Sequence, residues 1–134
     1  MFNLKDIALL IICFNPTRKD ILKIKKNLKM FKKNIIVWNS KKNYNFSESK
    51  VLEIELHKNV GQAEALNIGF NKAISLKISL ILTLDQDSTL IDSDHNLLKI
   101  INSFYKISNN AAGFSFGAVK DFSELKNKNY LIEN

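Results

Sequence analysis

Two stretches of the chain are apolar at nearly every position. Residues Ile7–Cys13 read IALLIIC and residues 78–84 read ISLILTL. Apolar runs of this length without alternation predict strands covered on both faces. Asn34–Trp38 (NIIVW) predicts a third strand, and Val51–Leu56 (VLEIEL) alternates only loosely, predicting a shorter fourth. A helical period appears between the first two strands. Ile21, Ile24, Leu28 and Phe31 recur at intervals of 3, 4 and 3 and form one stripe. Lys23, Lys26, Lys29 and Lys33 fall off that stripe and are expected to face solvent. Thr17 is the expected N-cap, with Asp20 as its acidic partner near the positive end of the helix dipole. A second helix is predicted from about Gln62 to about Leu76, packing through Leu66, Gly69, Phe70 and Ala73, and a third from about Asp94 to Ile107. Asn39–Ser49 reads as a polar loop, Ala111–Ala118 as a last strand, and 120–134 as a polar tail.

Strands alternating with helices predict an α/β fold, a mostly parallel sheet with helices on both faces. Such sheets bind ligands at the carboxyl ends of their strands. Four polar clusters fall at those ends: the turn after Cys13, Asn39-Ser40, Asn59-Val60-Gly61 and Asp85-Gln86-Asp87. Residues distant in sequence are therefore expected to converge on one rim.

Composition narrows the classes of function. A chain of 134 residues fits one domain, taken as 1–119 followed by the tail at 120–134. The single cysteine, Cys13, excludes an internal disulfide framework and suits a reducing compartment. No apolar run approaches the ~20 residues that cross a bilayer, and the start does not read as a signal peptide. A cytoplasmic location, or a peripheral one on the inner face of the cell membrane, is the expectation. The net charge is +7, and between Arg18 and Lys50 only Asp20 and Glu48 oppose eleven basic residues. That excess attracts polyanions. No RNA- or base-reading motif accompanies it, so nucleic acid is not the expected partner. A solvated lysine face, or contact between the lysines of the first helix and an anionic membrane, accounts for it instead.

Asp85 and Asp87 stand two apart at a predicted strand end, where a period of 2 would direct both carboxylates to one side. Adjacent carboxylates repel unless a cation neutralises them. Hard oxygen ligands favour Mg²⁺ or Mn²⁺, shared with a substrate phosphate. The alternative is that one carboxylate caps a helix and the other is merely solvated.

Four segments together resemble the donor half of a family-2 glycosyltransferase of the rhamnosyltransferase-like kind. Ile11-Ile12-Cys13-Phe14-Asn15-Pro16 resembles that family's first strand and V-T-Y-N-P turn. Ile35-Ile36-Val37-Trp38-Asn39-Ser40 resembles its second strand and D-N-x-S turn. Residues 59–69, NVGQAEALNIG, resemble N-x-G-x-x-x-A-x-N-x-G, and residues 82–88, LTLDQDS, resemble its L-x-L-D-Q-D-S strand. The resemblance implies a Rossmann-like GT-A sheet and inverting transfer of a sugar from a UDP- or dTDP-linked donor to a glycan or lipid-linked acceptor. It implies Asp87 on a metal bridging the diphosphate and Asp85 on the ribose or the metal shell. Cys13, Phe14 and Asn15 would line the base pocket, with Asn59, Gly61 and Asn67 beside the diphosphate sugar.

Trp38 replaces the aspartate with which the family reads the nucleobase, leaving stacking as its substitute, beside Asn39. The family's acceptor-binding half, with its general base, would follow the fifth strand. The chain is thus expected to be a truncated donor half, with its catalytic base unassigned. Two alternatives are a non-catalytic nucleotide-sugar binder and a subunit that docks on a partner. A third rests on residues 85–93, DQDSTLIDS, which also resemble the first motif of haloacid-dehalogenase-type phosphatases, with Asp85 as nucleophile. That motif normally opens its domain, and it leaves the three earlier segments unexplained. His57 and His95 are expected to be loop histidines.

Overall fold

The computed structural model describes residues 6–47, 50–90 and 94–107. The elements run β1 (Ile7–Cys13), α1 (Arg18–Leu28), β2 (Lys33–Trp38), β3 (Val51–Glu55), α2 (Gln62–Ser75), β4 (Leu80–Asp85) and α3 (Asp94–Ile107). The strand expected at 111–118 and the tail at 120–134 lie outside the described residues.

The four strands form one all-parallel sheet in the order β3-β2-β1-β4. Central β1 is buried along almost its whole length, as its unbroken apolar run requires. Its side chains alternate between two cores. Ile7, Leu9, Ile11 and Cys13 pack with Ile21, Ile24 and Leu28 of α1 and Leu97 and Ile101 of α3. Ala8 and Leu10 pack with Ala65 and Ala73 of α2. Helices thus cover both faces, and the described chain is α/β in the way the pattern predicts.

Local chemistry fixes the helix ends. Thr17 and Asp20 form a reciprocal capping box at α1. The amide of Thr17 donating to Asp20 holds that carboxyl below its usual range. The helix closes at Leu28, before Phe31, because Asn34 Nδ2 donates to the carbonyls of both Leu28 and Phe31. Phe31 still enters the same core from beyond the helix. Helix α2 ends in a Schellman motif: Lys77 takes φ 56°, its N–H donates to the Ile74 carbonyl, and that of Ile78 donates to the Ala73 carbonyl. Ile78 is consumed by this cap. Strand pairing of β4 therefore begins at Leu80 opposite Ile7, two residues later than the apolar run suggested.

Gly69 sets the distance between α2 and the sheet. A Cβ there would lie 2.5 Å from a methyl of Leu10, so any side chain at that turn would force the buried Leu10 or the helix to shift. The connection from β2 to β3 differs from the expected polar loop. Phe46 is buried beside Trp38 (ring centroids 6.0 Å apart) and Tyr44 packs edge-on to Phe46 at 4.9 Å. Aromatic packing thus joins this connection to the core on the α1 side of the sheet.

Candidate functional site

The carboxyl ends of all four strands carry the polar clusters, and hydrogen bonds join these clusters to one another. Between β1 and β4 the backbones part after Cys13 and Asp85, and Gln86 spans the gap. Its Oε1 accepts from the Phe14 amide (2.8 Å) and its Nε2 donates to the Phe14 carbonyl (3.2 Å). Between β1 and β2 the Asn39 amide donates to the Cys13 carbonyl, and Ser40 Oγ accepts from the Asn15 amide. Asn15 sits at φ 41°, a conformation that asparagine tolerates better than most side chains. Between β2 and α2, Asn39 Nδ2 donates to Asn59 Oδ1 (3.0 Å) and Asn39 Oδ1 accepts from the Val60 amide (2.8 Å). Asn59 Oδ1 also accepts from the Gly61 amide. Gly61 is the N-cap of α2 at φ 88°, with no side chain capping the first turn. The parting of the chain to either side of β1 makes the β1/β4 gap the switch point of the sheet, where α/β folds place ligands.

Asp85 and Asp87 are both exposed at this rim, and neither carboxylate is paired among the described residues. The geometry behind their pairing differs from the expectation. Strand β4 ends at Asp85, and Gln86 and Asp87 form a turn closed by the Ser88 amide donating to the Asp85 carbonyl (3.0 Å). The two-residue period therefore stops at Asp85, and a turn sets the direction of Asp87. Helix α1 moors this turn from one side. Lys23 Nζ donates to the Asp87 carbonyl, Asn27 Nδ2 donates to the Ser88 carbonyl (2.9 Å), and Asn27 Oδ1 accepts from the Leu90 amide (3.1 Å). Lys23, expected to face solvent, is half-buried for this reason.

Other sequence-predicted residues divide into exposed and enclosed. Phe14 (46% exposed), Asn15, Asn59, Gly61 and Asn67 are open to solvent. Cys13 and Trp38 are not. The Trp38 ring is wholly buried, and its indole N–H donates to Glu53 Oε2 (2.8 Å), so no face remains for a base to stack on. Glu53 also pairs with Lys42 and accepts from the Phe46 amide. Asn39 is likewise enclosed, with both ends of its amide committed. It joins two loops, from a buried position. His57 is an exposed loop residue at φ 60°, 3.2 Å from Glu55. His95 stands in the first turn of α3 rather than in a loop, and its side chain lies outside the described residues.

Burial pushes the Cys13 thiol from 9.0 up to about 12, with the charges of Glu53 and Asp20 adding to the effect. Cys13 is expected to stay unlabelled by Ellman's reagent at mildly alkaline pH and to react fully once urea unfolds the chain. The folded state keeps this proton where the unfolded state gives it up. The associated stability is intact below 9.0 and is lost as pH rises through about 12.

Sequence reasoning missed Gln86 and Asn27. Asn27 carried a usable signal: it is polar, yet it stands three residues after Ile24 on the buried stripe. Gln86, between two aspartates, carried none.

Among the described residues, no three His, Cys, Asp or Glu side chains gather closely enough to cage a metal ion. Two open carboxylates suit a cation that completes its shell with phosphate and water. No protein-family profile, curated protein or solved structure matches the chain. The fold and the rim therefore define a class only: a parallel α/β domain with a polar, acid-tipped switch point.

Proposed function

We propose that this chain binds a nucleoside-diphosphate sugar at the carboxyl ends of β1, β2 and β4, as the donor half of a GT-A-type inverting glycosyltransferase. The observation that carries this reading is the connected rim: Asn59, Asn39, Asn15, Phe14 and Gln86 are joined loop to loop beside two carboxylates that are unpaired among the described residues. Asp87, with Asp85, holds Mg²⁺ or Mn²⁺, which when bound offsets charge on the diphosphate as a Lewis acid. Uncapped amides at the first turn of α2 face the same rim and supply donors for phosphate oxygens. Exposed Phe14 and Asn15 border the base. Trp38 and Cys13 contribute by packing beneath the rim. No general base is assigned to this chain, so donor binding is the whole of the proposed activity. The acceptor, a glycan or a lipid-linked sugar, would meet it through residues outside those described.

Titration with UDP, dTDP and GDP, each with and without Mn²⁺, tests the reading. Saturable binding of at least one nucleotide that needs the metal is expected, with little metal uptake in the absence of nucleotide. Failure of all three to bind in Mn²⁺ would overturn it. Release of phosphate from a phosphate monoester, absent in an Asp85→Asn variant, would favour the phosphatase reading of residues 85–93.

A further inference from the structure

We infer that the opposite end of the sheet, at the amino ends of β2 and β3, is a docking surface for an anionic lipid bilayer. An open cavity of about 420 Å³ lies there, where β2 and β3 begin and α2 ends. Lys32, Lys33 and Lys50 line it together with Leu76, and no carboxylate is among the described residues that do so. Beside it the last turn of α2 exposes two aliphatic side chains, Ile74 at 67% and Leu76 at 49%.

The Schellman cap explains why these groups point outward. It turns the chain so that Ile78 enters the core and Leu76 stays outside, and it leaves exposed Lys77 between them. Aliphatic tips surrounded by lysines match the boundary of a membrane, where hydrocarbon enters the interface and ammonium groups meet phosphates. A polynucleotide would satisfy the lysines and leave Ile74 and Leu76 without a role. The lysines of α1 are a poorer surface for the same purpose, since Lys23 is already bonded to the Asp87 carbonyl. Docking by this end would hold the polar rim one strand length away from the lipid, about 20 Å at ~3.3 Å per residue.

Sedimentation of the intact chain with vesicles tests this directly. Binding is expected to phosphatidylcholine–phosphatidylglycerol vesicles and not to phosphatidylcholine alone. Each lysine near an anionic surface contributes about fivefold. The K32E/K33E/K50E variant should therefore lose more than about a hundredfold. A K19E/K26E/K58E variant, with the same change of charge on other exposed lysines, should retain most of the binding. The I74S/L76S pair keeps the charge and should lose about tenfold or more. All six lysines and both aliphatic residues are exposed, and far-UV circular dichroism checks that each variant is folded. The inference falls if phosphatidylglycerol gives no preference, or if the control triple loses as much as the face triple. It also falls if the serine pair binds unchanged while duplex DNA competes the protein off the vesicles. Nucleotide binding at the rim is measured separately, so either result stands without the other.

Discussion

The Asp87→Ala variant is expected to lose at least about a hundredfold in metal-dependent affinity for nucleoside diphosphate. Its stability should stay within about 0.5 kcal/mol of the parent. Both expectations follow from the same geometry. The carboxylate is exposed and unpaired among the described residues, so its removal breaks no folded-state contact. The bonds that hold the turn go to backbone, from Lys23 to the Asp87 carbonyl and from Asn27 to the Ser88 carbonyl, and an alanine keeps both. On the proposed reading, a metal held by two protein carboxylates and a diphosphate would lose half of its protein ligands. Even groups one step removed from a metal cost 10–100-fold when deleted, so a direct ligand should cost at least that. Calorimetric titration with Mn²⁺ present measures the affinity, and urea denaturation the stability. An Asp87→Ala protein that binds UDP or dTDP as the parent does would remove the metal from the site. Asp85→Ala is the natural companion, since the two carboxylates leave the sheet differently: Asp85 is fixed by pairing opposite Ile12, and Asp87 by the turn.

The sheet was legible because its central strands are simple. IALLIIC and NIIVW leave no polar face, and such runs have few places to go other than a doubly covered sheet. The resemblance at residues 59–69 also has a local physical content. Asn59 holds the loop, Gly61 turns it at φ 88°, Ala65 is buried and Gly69 meets Leu10. These positions would be constrained in any chain that lays α2 this closely on β1. They support the fold of the rim and do not by themselves specify its ligand.

The rest was hidden for identifiable reasons. An alternating strand pattern can be read only while the strand lasts, and nothing in LDQDS marks its end at Asp85. The role of Trp38 depends on Glu53, fifteen residues on and in another strand, whose carboxylate accepts the indole N–H and also binds Lys42. Placed by order alone, Trp38 reads as a rim residue, whereas its register on β2 turns it into the α1-facing core. Lys23 was misread because a helical wheel shows which residues leave the core and not what they then meet.

The second large effect is expected at Asn27, a residue that touches no proposed ligand. It is 1% exposed, and its amide makes one bond in each direction, to the Ser88 carbonyl and from the Leu90 amide. Asn27→Ala deletes both bonds and leaves a carbonyl and an N–H facing a hole. An abandoned polar group costs about 1–3 kcal/mol. Ser88 and Leu90 are partly exposed, and water can serve them in part. A loss of roughly 2–3 kcal/mol in urea denaturation is the expected sum. Asn27→Asp separates shape from bonding. It keeps an acceptor for the Leu90 amide but sets a negative oxygen against the Ser88 carbonyl, so it should recover only part of that loss. The consequence for the site is sharper than for the fold. With Asn27 gone, the one hydrogen bond left between α1 and the turn bearing Asp87, among the described residues, is that of Lys23, a single flexible side chain. Metal-dependent nucleotide affinity should then fall by about tenfold with both carboxylates intact. Added Mn²⁺ should restore binding in Asn27→Ala but not in Asp87→Ala, because a loosened ligand still closes on the ion at higher concentration and a missing one cannot. If Asn27→Ala is destabilised yet binds nucleotide as the parent does, Asn27 supports the core only, and Gln86 and Lys23 orient the acidic turn.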